Sequence, residues 1–238
     1  MSIKSVLFDL DGTLLPMDME VFLKKYFGLL TEKLSHHGYE PKELFEAVWT
    51  GTAAMVKNDG SRPNEEVFWE SFAKHYGDSY KKDLPLFDEF YKNDFVSVRA
   101  ACGFAPQAAE AVAKIKQMGL RVALATNPVF PSSATEHRIH WAGLVPEDFE
   151  LFTTYENSNY CKPNPRYYES VAERLGVDPR ECLMVGNDVS EDMVAEKIGM
   201  KVFLLTDCLI NKNNEDISVY PSGGFAELLK YIDEIYAK

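Results

Sequence analysis

The chain has 238 residues, of which 46% are hydrophobic and 26% charged, a length and balance that exclude a disordered polymer and allow a sizeable buried core. A formal net charge of −12, with a pI of about 4.9, excludes nucleic-acid phosphates and anionic lipid as general partners, because an acidic surface repels both. The same field opposes a phosphorylated metabolite, so a site for one needs local cations.

The N-terminal MSIKSVLFDLDG has too short an apolar run, followed at once by acids, for a secretory signal. Its core, Val6-Leu7-Phe8, predicts a strand over Ser5–Leu10, buried on both faces of a parallel sheet. From about residue 16 to 97 no strand pattern is found. Helical patterns run over Met19–His36, Pro41–Val56, Glu65–Tyr76 and Tyr80–Asn93, broken at His37-Gly38, Asn58-Asp59-Gly60 and Gly77-Asp78. Trp49, Phe68, Trp69, Phe72 and Tyr76 have helical spacing and read as the core of this segment rather than a substrate-stacking surface. Lys57 and Arg62 flank the Asn58–Gly60 turn and read as solvated. Linkers are expected at Leu15–Asp18 and about Phe95–Gly103.

Strands and helices then alternate. Strands are predicted at Arg121–Thr126, more weakly at Glu150–Thr154, and at Cys182–Gly186 and Lys201–Leu205. Helices are predicted at Pro106–Met118, Ser132–Ala142, Pro165–Leu175, Ser190–Ile198 and Phe225–Tyr236, most of them ending at a glycine. This is the pattern of βαβ units around a parallel sheet. On the helix at 132–142, His137 and His140 are assigned to a solvated face. Cys102, Cys161, Cys182 and Cys208 show no CxxC spacing and are expected to be reduced thiols of a cytoplasmic protein. No apolar run approaches the roughly 20 residues of a membrane helix.

Chemistry concentrates at strand ends. Asp9-Leu10-Asp11-Gly12-Thr13 sets two carboxylates two residues apart where ligands bind in open α/β sheets. Carboxylates so placed need a cation or a shared proton, and Mg²⁺ is the natural cation for an all-oxygen site. Taken alone, an Asx-type turn would also account for the pentapeptide. Thr126-Asn127 ends the next strand and offers donors to a phosphoryl oxygen. Lys162-Pro163-Asn164-Pro165 presents an ammonium just before a helix. Asp188 and Asp192 follow the strand CLMVG in a loop entering a helix, with Glu191 a further acid nearby.

These segments, in this order, resemble the motifs of the haloacid dehalogenase superfamily of phosphatase-like hydrolases, the first matching DxDGT in full. The resemblance covers about residues 1–16 and 98–238. It implies an α/β fold, with a Rossmann-like parallel-sheet core (1–15 and 98–238) and a separate all-helical cap domain (16–97) inserted between the first and second motifs. It implies a Mg²⁺-dependent phosphatase that hydrolyses a small-molecule phosphate monoester, a small phosphorylated metabolite, through an aspartyl phosphate. Asp9 would be the nucleophile and Asp11 the general acid and base. Lys162 would neutralise the phosphoryl group, and Thr126 and Asn127 would bind it. Asp9, the Asp11 carbonyl and Asp188 would hold the metal. Asp192 would orient metal-bound water or Lys162. A sugar-phosphate mutase of the same superfamily and a non-catalytic phosphate-binding regulatory protein are the alternatives. Asp11 argues against a dehalogenase. The substrate's identity and the oligomeric state are left open.

Overall fold

The computed structural model describes residues 2–236. Its centre is a five-stranded parallel sheet of β1 (Ser5–Phe8), β2 (Arg121–Leu124), β3 (Cys182–Gly186), β4 (Lys201–Leu205) and β5 (Ser222–Gly223), in the order β2-β1-β3-β4-β5. The alternation of strand side chains explains the continuous apolar runs. Val6, Phe8, Leu183, Val185 and Phe203 face one core, while Leu7, Met184, Val202 and Leu204 face the other. The first core is covered by α5 (Pro106–Gln117) and α8 (Phe225–Tyr236), the second by α7 (Pro165–Leu175). Strand order reverses between β1 and β3, the point at which such sheets leave a crevice beyond their carboxyl ends.

β1 and β2 are shorter than their apolar runs suggest. Asp9 N still donates to Val185 O (2.9 Å) and Ala125 N to Phe8 O (2.7 Å), after which each chain turns away with its polar residues. The Glu150–Thr154 segment forms only an isolated bridge, Leu124 to Phe152, beside β2. The helix expected at Ser190–Ile198 is a 3-10 turn over Met193–Ile198. Its would-be first turn is taken by side chains: Asp188 Oδ1 accepts from Ser190 N and Glu191 N, and Asp192 Oδ2 from Asp188 N.

Between β1 and β2 lie α1 (Met19–Ser35), α2 (Pro41–Val56), α3 (Asn64–Tyr76) and α4 (Leu84–Glu89). The single helix expected over Tyr80–Asn93 is broken. Pro85 cannot sit in a helix interior, so the chain runs as a 3-10 turn over Gly77–Asp83, restarts at α4 with proline in the first turn, and continues as a π turn over Phe90–Asp94. The expected second linker is also mostly helical, since Phe95–Ala101 is a 3-10 helix that buries Phe95 and Val98. The crossing itself is short. Gly103 N donates to Pro16 O at 2.7 Å, and Met17 bridges Cys102, so the two connecting segments are paired. α6 (Ser132–Trp141) follows β2, and Phe130 just before it packs against Tyr26 and Phe95 at ring separations of 5.4 and 6.1 Å, which makes one apolar core continuous from sheet to inserted helices. The four cysteines are free thiols, with Cys161 and Cys182 buried. Among the described residues no helix is long and apolar enough to cross a membrane.

Candidate active site

The carboxyl ends of β1 and β3 bring Asp9, Asp11 and Asp188 to one cavity, of about 260 Å³, with Thr126, Asn127, Glu191 and Asp192. Asp9 is buried and each of its oxygens is held. Oδ1 accepts from Lys162 Nζ at 2.8 Å and Oδ2 from Thr13 Oγ1 at 3.0 Å. Thr13 Oγ1 lies equally close to Asn187 Oδ1, but it has one proton, and a carboxylate is the stronger acceptor. Gly12 makes the turn possible. Its φ of 85° suits glycine, and a Cβ there would strike the Asn187 side chain.

Lys162 is 1% exposed, is followed by a cis peptide to Pro163, and its ammonium lies between two carboxylates, 2.8 Å from Asp9 Oδ1 and 2.6 Å from Asp192 Oδ1. Burial disfavours its charge, but Asp192 and Asp9 outweigh burial and hold its pKa well above the ordinary lysine value. Burial pushes Asp192 up to about 6, opposed by Lys162. Gly186 leaves room for this carboxylate, since a Cβ at 186 would occupy its place. Asp192 therefore fixes the lysine that fixes Asp9.

Asp11 is raised above the usual carboxylate range by burial, opposed by the Arg138 guanidinium. Arg138 Nη1 donates to Asp11 Oδ2, while Asp11 Oδ1 is buried with no hydrogen-bond partner among the described residues. Arg138 is absent from the sequence-based site. It is 1% exposed, donates from Nε to Ala134 O and from Nη2 to Thr135 Oγ1, and sets its guanidinium carbon 4.6 Å from the Phe130 ring centroid. The signal was its spacing, four residues from both Ala134 and Ala142 on the buried stripe of α6. His140 is indeed exposed, but His137 is half-buried and stacks on Trp141 at 6.4 Å.

Asn127 is engaged at both ends. Its Oδ1 accepts from Lys162 N at 3.3 Å and its Nδ2 donates to Glu191 Oε2 at 3.0 Å. Burial pushes Glu191 up to about 7. Thr126 is buried beside them, its carbonyl receiving Thr153 Oγ1 and Tyr167 OH at 2.6 and 2.8 Å.

Among the described residues no three His, Cys, Asp or Glu side chains converge as a self-sufficient metal site. The donors available are two carboxylates and a carbonyl. Asp188 uses Oδ1 for backbone N–H groups, and neither its Oδ2 nor the Asp11 carbonyl receives a hydrogen bond among the described residues. This all-oxygen, incomplete set fits Mg²⁺, which is bound through one or two carboxylates and leaves the remaining positions to water and phosphate oxygens.

The model of the haloacid dehalogenase-like hydrolase family matches residues 3–198. YhcW of Bacillus subtilis (strain 168), a candidate phosphatase, is 29% identical over 206 residues, covering 85% of this chain and 83% of its own. Phosphoglycolate phosphatase of Nitrosospira multiformis is 24% identical, covering 92% and 88%. The crystal structure of a HAD phosphatase from Thermococcus onnurineus superposes with a TM-score of 0.59 at 22% identity, covering 97% of this chain and 98% of that one.

Proposed function

Because the chain belongs to the haloacid dehalogenase-like hydrolase family and is a phosphatase within it, we propose that it hydrolyses a small-molecule phosphate monoester through an aspartyl phosphate on Asp9. The observation that carries this reading is the buried triad Asp9–Lys162–Asp192, which holds a carboxylate at the crevice with a charge partner already in place.

Asp9 attacks phosphorus, and the alkoxide leaves as its bond to phosphorus breaks. Asp11, its pKa raised by burial, gives its proton to that oxygen, then takes one from the water that opens the aspartyl phosphate. Lys162 stays charged throughout and offsets the negative charge that gathers between Asp9 and the phosphoryl oxygens. Thr126 and Asn127 line the same space, and their own backbone N–H groups, which have no partner among the described residues, are available to phosphoryl oxygens. Asp9, Asp188 and the Asp11 carbonyl would hold Mg²⁺, which when bound supplies further positive charge to the phosphoryl group. The helices between β1 and β2 form the far wall of the cavity, and we assign them the role of a cap that keeps bulk water from the intermediate.

The test is phosphate release from a panel of small esters with Mg²⁺ or with a chelator. Metal-dependent release that disappears in Asp9→Asn supports the reading. Asp9→Asn protein that turns over at the wild-type rate overturns it.

A further inference from the structure

The part of the cavity lined by the inserted helices is built almost wholly of apolar and aromatic side chains. Leu23 and Phe27 come from α1, Trp49 from α2, Phe68 and Trp69 from α3, and Phe87 from α4. Among the described lining residues, the inserted helices supply no charged side chain. Their polar groups there are neutral: the hydroxyl of Thr52, which already donates to Val48 O at 2.9 Å, the hydroxyls of Tyr26 and Tyr91, which share one hydrogen bond at 2.7 Å, and the indole N–H groups of Trp49 and Trp69.

The opposite wall is acidic. Asp9, Asp11, Asp188, Glu191 and Asp192 line it, and the one cationic lining residue among the described residues is the exposed Lys212, on the loop after β4. Arg138 is committed to Asp11, and Lys162 to Asp9 and Asp192. A carboxylate or second phosphate placed among these rings would meet no cation from the inserted helices, and its partial desolvation there is unfavourable.

Trp49 adds an independent observation. It lines the cavity yet is 52% exposed, and it is stacked on Phe45, itself 42% exposed, at 6.0 Å with an interplanar angle of 10°. Phe45 in turn meets Phe27 at 4.6 Å, so a row of rings leads from solvent into the cavity. Contiguous exposed rings at a cavity mouth mark a place where an apolar group is received.

We infer that this site takes phosphate esters whose leaving group is uncharged and largely apolar, an alkyl or aryl alcohol, and discriminates against esters that carry a second anionic group. The inference rests on the phosphatase reading and names the substrate class of that same site. The phosphate lies against the charged wall and the alcohol's hydrocarbon against Phe27, Trp49 and Trp69. Specificity is then set by burial of the hydrocarbon and by the lack of any cation on the inserted helices among the described lining residues.

The experiment compares kcat/KM with Mg²⁺ for ethyl, butyl, hexyl and benzyl phosphate and for phosphoglycolate, which matches ethyl phosphate in length but carries a carboxylate. The expected result is a rise of about fourfold per methylene until the cavity is filled. Phosphoglycolate should fall at least about tenfold below ethyl phosphate. Trp49→Ala, at a half-exposed position, should lower the benzyl-to-ethyl ratio several-fold. Thr52→Lys should raise phosphoglycolate relative to ethyl phosphate. A flat alkyl series, or phosphoglycolate preferred over ethyl phosphate by the unaltered protein, overturns this inference and leaves the phosphatase reading standing. Absence of phosphate release from every ester overturns both.

Discussion

The two walls of the cavity are held by different physics. On the sheet side each functional group is fixed by directed, charge-assisted bonds. Lys162 is pinned by two carboxylates, Asp9 by Lys162 and Thr13, and Asp188 by two backbone N–H groups. On the helix side the rings touch through many undirected contacts, such as Trp69 on Tyr80 at 5.1 Å and Phe72 against Phe87 at 5.6 Å. Substitutions on the first wall should therefore act in large steps. Those on the second should act in increments, because each ring contributes a fraction of a shared surface.

The largest expected effect is on rate. Asp9→Asn removes the proposed nucleophile while keeping the shape of the side chain, and should lower kcat on the order of 10⁵-fold with the circular dichroism spectrum retained. Next is Lys162→Met. It leaves Asp9 and Asp192 buried together with no cation between them, and breaking such a pair costs about 3–5 kcal/mol, to be read from urea unfolding. The loss should shrink as pH falls from 8, because Asp192, which burial raises to about 6 even against Lys162, is freed of that opposition in the variant and takes up a proton at higher pH. A loss below about 1 kcal/mol at pH 8 would show that the charged wall is not held as described.

Arg138 sits on the seam between the walls, its guanidinium bonded to Asp11 and lying over Phe130. Arg138→Met removes the main influence that opposes the upward shift of Asp11. Asp11 must be protonated to assist the leaving oxygen, so the alkaline limb of kcat/KM should move to higher pH. An unmoved limb alongside reduced stability would confine Arg138 to packing. Arg138→Lys should restore part of the limb's position, since it keeps the charge and loses the fork.

Legibility in the sequence also divides along the walls. Asp9, Asp11 and Asp188 stand out because acids just past the ends of buried strands have no packing reason to be there, Lys162 and Asp192 stand out by their place in the motif order, and the fold brings the five together. Arg138 does not stand out because Glu136, His137 and His140 around it are polar, and a buried arginine is visible only in the spacing of its apolar neighbours. The aromatic wall was half visible. Helical spacing locates an apolar stripe on α2 and α3, but it does not say whether a ring faces the helical core, as Phe72 does, or the cavity, as Trp49 does. The break at Pro85 is legible in the proline itself, whereas the loop after Asp188 depends on side-chain hydrogen bonds to the backbone that propensity does not resolve.

Glu191 carries a smaller prediction on the acidic wall. Burial raises its pKa to about 7 from an unfolded value near 4.5. A raised folded pKa means stability that is fully present below about pH 4.5 and lost as pH rises through about 7. Glu191→Gln escapes that loss. In chelator-treated protein the variant should gain stability relative to the unaltered chain between pH 4.5 and 8, and a constant difference across that window would remove the assigned cause.

The smallest expected effect tests how the walls are joined. Asn64, at the start of α3, is fully buried and bonds to loops of the sheet domain. Its N donates to Ser158 O at 2.8 Å and its Nδ2 to Pro128 O at 3.2 Å, while its Oδ1 accepts from Asn58 Nδ2 at 2.9 Å. Glu65 N adds a bond to Tyr155 O at 2.9 Å. These bonds tie the inserted helices to the loops that carry Asn127 and Lys162. Asn64→Ala keeps the backbone bond and deletes the side-chain ones, which leaves the Pro128 carbonyl and the Asn58 amide without that partner at a cost of about 1–3 kcal/mol. If the helices act as a cap, part of that cost falls on the closed arrangement rather than on folding, and KM for a hydrophobic ester should rise more than kcat falls. An equal loss in global stability with KM unchanged would make the contact a plain structural tie, and the two walls one rigid body.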